Sequence, residues 1–257
     1  MTLGIVTISF NQARYLSEAI ESVRVNGESK LRYVIVDPGS NDGSRELIQS
    51  QQRHFDAIIL EPDKGPADGL NKGFAACDAD VYGYLNSDDR FAPGALNWVL
   101  EFFEKNRDVD VLLGAAKIID ENGKPRLRKT LSWSFTPESI LAGTAAAIQQ
   151  ATFFRRRVLN KFNIENRTCW DFEQLIDMLL AGASFKICHK VLGEFRIHSA
   201  SISGSGRLQK PYVIDMARLK RKLVAAGIKE KHPALSSLQR LLHKLNPARR
   251  ALEVFVS

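Results

Sequence analysis

LGIVTISFNQARYLSEAIESVRVNGESKLRYVIVDPGSNDGS, residues 3–44, decides the architecture. Its two apolar runs, Leu3–Ile8 and Arg32–Asp37, are short and rich in β-branched residues, and between them Leu16, Ala19, Ile20 and Val23 recur at helical spacing. Such runs read as strands buried on both faces, and the recurrence as a helix laid over them. The rhythm continues outward. Ala57–Leu60, Val81–Leu85 and Val111–Leu113 repeat the strand pattern, and 44–53, 67–76 and 94–105 repeat the helical one. This alternation predicts an α/β chain with a mostly parallel sheet flanked by helices, whose ligands bind at the carboxyl ends of the strands.

After Gly114 the rhythm changes to a polar turn at Asp120–Pro125, Trp133 and Phe135, an Ala-rich stretch 142–147, a strand Ala151–Arg155, a helix 171–181, and the runs Phe185–Cys188 and Val191–Ile197. This half is expected to build a mixed α+β layer onto the same sheet. Ser199–Gly206 is mostly Ser and Gly, which suits a linker or loop. Beyond it, 208–226 and 234–246 are helical patterns. The expected division is a catalytic unit 1–206 and a basic amphipathic helical extension 207–257.

With 257 residues, 44% hydrophobic and 25% charged, the chain is long and apolar enough for a sizeable core, which excludes disorder, collagen and fibre. Cys77, Cys169 and Cys188 form no CxxC pair, so neither a disulfide framework nor a thiolate zinc site is expected. No apolar run has the length of a membrane span, and Met1-Thr2-Leu3-Gly4 lacks the positive start of a secretory signal, so the cytoplasm is the expected compartment. The net charge of +7 is uneven: residues 207–257 hold 12 Lys and Arg against 3 Asp and Glu. A basic tail suits a polyanionic surface, and Leu219, Leu223, Leu238, Leu241, Leu242 and Leu245 beside its charges suggest an anionic membrane. The bland alternative packs those leucines on the catalytic body or in a homodimer.

Three polar clusters fall at strand ends: Thr7-Ile8-Ser9-Phe10-Asn11, Asp37 to Ser44, and Asn86-Ser87-Asp88-Asp89. One such cluster is most simply a turn and helix cap; three at the same edge point to a ligand. No GxGxxG follows the first strand and no Walker lysine loop is present, which disfavours nicotinamide, flavin and P-loop chemistry. Phosphates bound without a glycine cradle need another neutraliser, and Asp88-Asp89 suits a divalent Mg²⁺ or Mn²⁺.

Six segments, TISFNQARYLSEAIESV, VDPGSNDGS, EPDKGPADGLNKGF, YLNSDD with Pro93, WDFEQ and FRIHSASIS, together resemble the inverting glycosyltransferases of family 2, which have the GT-A fold. The resemblance covers roughly residues 3–200. It implies that Thr7, Ser9, Asn11 and Asp37 hold the uracil and ribose of a UDP-sugar, that Asn86 and Ser87 continue this site, and that Asp88 and Asp89 hold a metal on the diphosphate. The first Asp of the family's DxD is Asn86 here. Asp63, Asp68 and Lys72 are implied to line the donor site, Gln149 and Gln150 to meet sugar hydroxyls, and His198 to touch metal or diphosphate. Asp171 matches the base, with Glu173 as an orienting or acceptor group. The implied reaction moves a sugar onto a hydroxyl of a glycan or lipid-linked acceptor, peripherally at the cytoplasmic membrane face. A nucleotidyltransferase is the rival enzyme, but Ser9-Phe10-Asn11-Gln12 is not a triphosphate loop. Nucleic-acid binding by the tail is the non-enzymatic rival, and only Tyr212 and Phe255 there could stack on bases.

Overall fold

The computed structural model describes residues 1–26, 30–199, 201 and 208–229. β1 (Leu3–Ile8) is its spine, parallel to β2 (Leu31–Val36) on one side and to β4 (Val81–Asn86) on the other. β3 (Ala57–Ile59) extends the sheet beyond β2. α1 (Ala13–Arg24), α2 (Ser44–Ser50) and α4 (Ala95–Lys105) cover one face, with Leu16, Ile20, Val99 and Phe103 on Ile5, Ile35 and Leu112. α3 (Pro66–Ala75), together with α6 (Trp170–Leu180) and α7 (Gln209–Ala225), supplies the other core, where Leu70, Phe74, Met178 and Leu219 join Val6, Val34 and Val111. The uninterrupted apolar runs of β1 and β4 follow from this double cover.

The later half is the mixed layer expected of it. β6 (Val111–Ile119) runs on past its three-residue apolar start, and β8 (Thr152–Arg155) separates it from β4, antiparallel to both. β9 (Phe185–Arg196), which the sequence breaks into two runs, is one strand parallel to β6 with register shifts around Ala115. Its end pairs with the two-residue β5 (Arg90–Phe91). β7 (Pro125–Leu131) forms an unexpected hairpin with β6; Arg126, Arg128 and Lys129 hide it from an apolar-run reading. The short α5 (Pro137–Leu141) follows.

Close helix–sheet approach places α3. A Cβ at Gly73 would lie 2.3 Å from Val6 Cγ1 and 3.1 Å from Val36 Cγ2, so the helix sits directly on β1 and β2. Gly73→Ala is expected to destabilise the chain by about 1–3 kcal/mol through overpacking. A lower urea midpoint at unchanged m would register it, and an unchanged midpoint would contradict this packing.

The extension departs from one expectation. Leu219 and Leu223 are fully buried against the body, so they cannot form the start of a membrane-facing stripe. The second pattern, 234–246, and nearly all of the Ser/Gly stretch lie outside the described residues. Among the described residues no helix is long and apolar enough to cross a membrane.

Candidate active site

A cavity of about 460 Å³ opens at the carboxyl ends of β1 and β4, lined among others by Ser9, Phe10, Pro38, Asp63, Asn86, Ser87, Asp88 and Trp170. At one end the chain leaves β1 through Ser9. That side chain is 3% exposed and its hydroxyl has no hydrogen-bond partner among the described residues. Leaving a buried hydroxyl unpaired costs roughly 1–3 kcal/mol, so a ligand that bonds it recovers that cost. Phe10, at 60% exposure, holds an apolar ring at the mouth of the same cavity. Asn11 takes φ 52°, a conformation asparagine tolerates, and its Oδ1 accepts the Asn41 N–H at 3.0 Å.

Asp37 is fully buried and accepts from Gly39 N, Ser40 N, Ser40 Oγ and Arg45 Nε. It thereby fixes the loop whose Pro38 lines the cavity. Thr7 departs from expectation. Its hydroxyl is fully buried and bonds Tyr33 Oη at 3.0 Å, because Thr7 lies within β1, between its neighbouring strands, whereas Ser9 lies just past the strand end.

Of the next three candidates only Asp63 reaches the cavity. Its Oδ1 accepts the Gly65 N–H at 2.8 Å, and burial pushes its carboxyl up. Asp68 accepts the Lys64 N–H at 2.9 Å and Lys72 Nζ donates to Pro62 O at 2.5 Å, so both shape the loop that carries Asp63.

The Asn86–Asp89 turn follows β4. Asn86 Nδ2 donates to Gln149 Oε1 at 3.2 Å. Asp88 Oδ2 stands 3.1 Å from His198 Nε2, bringing two of the expected metal contacts together. Asp89 lines the same cavity, but both of its carboxylate oxygens accept from protein donors. It is 1% exposed, with Oδ2 accepting Gln150 Nε2 at 2.5 Å and Oδ1 accepting the Arg196 N–H at 2.8 Å. Burial and the charge of Asp88 push its carboxyl well up. Gln150 therefore anchors Asp89, where a sugar contact was expected. Among the described residues no group of three His, Cys, Asp or Glu is placed to hold a metal. Asp88 with His198 still suits a cation that keeps waters and draws its other ligands from phosphates.

Sequence reasoning left Arg196 without a role, although it lies within FRIHSASIS. Its guanidinium is fully buried; Nε donates to Asp88 O at 2.6 Å, one Nη to Glu18 Oε2 at 2.8 Å, and the group lies 4.6 Å from the Tyr15 ring centroid. A buried cation so paired pins the Asp88 backbone to α1. Phe10 and Trp170 were also missed as lining residues; each is an aromatic beside a polar candidate, which was the available signal.

α6 brings Asp171 into its first turn, next to the cavity-lining Trp170. Burial raises the Asp171 carboxyl, opposed by the Phe172 backbone N–H. Glu173 points elsewhere, as its helical phase requires. It is 2% exposed and accepts from both Arg218 nitrogens at 2.7 and 2.6 Å, from Asn166 Nδ2 at 2.8 Å and from Asn163 Nδ2 at 3.2 Å. Burial alone would raise it, but the hydrogen bonds of Arg218, Asn166 and Asn163 prevail and hold it down to about 2.

Residues 4–163 match the family-wide sequence pattern described as Glycosyl transferase family 2. An uncharacterised glycosyltransferase of Nostoc sp. is 31% identical over 78% of this chain, which spans 66% of that relative's length, just under two thirds. The putative teichuronic acid biosynthesis glycosyltransferase TuaG of Bacillus subtilis is 24% identical over 79% of this chain and 82% of its own. Among solved structures, S. aureus TarS 1–349 in complex with UDP-GlcNAc superposes with a TM-score of 0.68 at 16% identity, over 92% of this chain and 69% of that one, a likeness of fold.

Proposed function

The chain belongs to glycosyl transferase family 2, and we propose that it is an inverting enzyme that moves a sugar from a UDP-sugar to a hydroxyl of a glycan or glycan-bearing acceptor. One observation carries the reading: a single cavity is lined by Ser9, whose hydroxyl has no partner among the described residues, by the exposed Phe10 ring and by Asp88, with Trp170, the neighbour of Asp171, in its wall. Phe10 offers a stacking face to the base, and Ser9 a hydrogen bond to the nucleoside. That TarS was solved with UDP-GlcNAc supports the choice of nucleotide.

Asp171 takes the proton from the acceptor hydroxyl as that oxygen bonds to the anomeric carbon. The bond from that carbon to the diphosphate breaks on the opposite face, which inverts the centre. Burial favours this role, because it raises the Asp171 carboxyl and a carboxylate of higher pKa is a stronger base. Asp88 and His198 would hold a divalent cation, which supplies charge stabilisation to the leaving diphosphate. Arg196 and Asp89 keep that turn in place.

Titration calorimetry with UDP tests the nucleotide end. Phe10→Ala is expected to weaken UDP binding by about 1–3 kcal/mol, the range for one base–aromatic stack. Equal affinity in both proteins, or no UDP binding by either, would remove the reading. The metal is tested separately. Chelation by EDTA is expected to weaken UDP binding roughly tenfold and Mn²⁺ to restore it, while Asp88→Ala makes the affinity indifferent to both. An unaltered chain that ignores EDTA would mark a metal-independent site.

A further inference from the structure

The body-facing stripe of α7 consists of Tyr212, Met216, Leu219 and Leu223, which recur at one helical phase. Leu219 and Leu223 are fully buried and Met216 packs against the same core, yet Tyr212 is 47% exposed. The contacts between helices give the reason. Asp215 Oδ2 accepts the Thr168 hydroxyl at 2.6 Å, Arg218 grips Glu173, and Lys222 pairs with Asp177, so α7 runs alongside α6 in the same direction. Tyr212, one turn before Asp215, therefore overhangs the start of α6, the end that carries Asp171. Val213 and Ile214 extend the exposed apolar surface beside it. Burial, and then neighbouring Cys169 and Asp171, push the Tyr212 phenol up, which agrees with this placement.

We propose that this overhanging turn is the acceptor subsite, with the Tyr212 ring as the platform for a pyranose ring of the acceptor glycan. The inference rests on Asp171 as the base, since the accepting hydroxyl must come within a hydrogen bond of that carboxylate. A sugar presents one face of C–H groups and a rim of hydroxyls. An aromatic ring with a polar tip suits both, the ring lying against the C–H face and the phenol reaching a hydroxyl. The ion pairs to α6 hold the platform before the acceptor arrives, so little ordering remains to be done on binding.

The test is saturation-transfer NMR on the full chain with UDP and a mixture of methyl glycosides of glucose, galactose, mannose and N-acetylglucosamine. Ring-proton signals of at least one glycoside are expected with the unaltered chain, reduced about fivefold in Tyr212→Ala and kept within about twofold in Tyr212→Phe. UDP signals should be the same in all three. No glycoside signal from the unaltered chain, or an equal signal from Tyr212→Ala, overturns the platform. So does a dimer in sedimentation that Tyr212→Ala abolishes, which would give the turn to a second copy. Absence of UDP signals would count against the nucleotide-sugar reading, while the glycoside signals judge the platform independently.

Discussion

Asp171→Asn lowers turnover roughly 10²–10⁴-fold while UDP binds as it does to the unaltered chain. The amide keeps the size of the side chain and its place beside Trp170 in the first turn of α6, so the cavity is undisturbed. What disappears is the oxygen able to accept the acceptor's proton. The pH dependence carries a second mark. Because burial raises the Asp171 carboxyl above its ordinary 3.8, the acid limb of kcat/KM should fall off at a higher pH than a solvated aspartate would give. A parallel loss of UDP binding, or near-normal turnover, would take Asp171 out of the mechanism.

The second large effect is on stability. Arg218→Ala removes the bidentate partner of a carboxylate that is 2% exposed and leaves Glu173 with Asn163, Asn166 and Lys222. Breaking a buried pair by deleting one member costs about 3 kcal/mol at the lower end of the usual range, appropriate here because Arg218 keeps contact with water. Acid reports the same pair. A carboxyl held at about 2 in the folded chain stabilises it fully above the unfolded carboxylate's pKa, and that contribution is lost as pH falls towards 2. Urea midpoints followed from pH 6 to pH 2, roughly the span of this titration, should fall more steeply for the unaltered chain than for Arg218→Ala. Equal slopes would mean that Arg218 does not set the state of Glu173.

Legibility in the sequence followed the physics of each element. β1, β2 and β4 were visible because a strand covered on both faces is apolar at every position, and α1 because its stripe keeps a 3.6-residue recurrence. β7 and β5 were not, since one is crowded with Arg and Lys and the other is two residues long. In the site, residue types and strand ends singled out Ser9, Asp63, Asn86, Ser87, Asp88 and Asp89, and all six line one cavity. They could not separate a carboxylate that faces a ligand from one that faces the protein. Adjacent Asp88 and Asp89 look alike in a chain of letters; they diverge only once β9 brings Arg196 N–H and the turn before β8 brings Gln150 to one of them.

The position of β9 also bears on how the chain is made. The sheet order β3-β2-β1-β4-β8-β6-β9-β5 places the neighbour of β5 last in the chain, although β5 directly follows the Asn86–Asp89 turn. On the ribosome the four parallel strands can assemble early, but β5 has no strand to pair with until β9 emerges roughly 100 residues later. At about 5–20 residues per second this is a delay of several seconds or more. Until then Asp89 lacks the Arg196 N–H that holds its Oδ1. The β5–β9 edge beside the Asn86–Asp89 turn is thus the last part of the sheet to acquire its shape, and a nascent chain stalled before residue 196 would carry the Ser9 part of the cavity without the Arg196 contacts that hold Asp88 and Asp89.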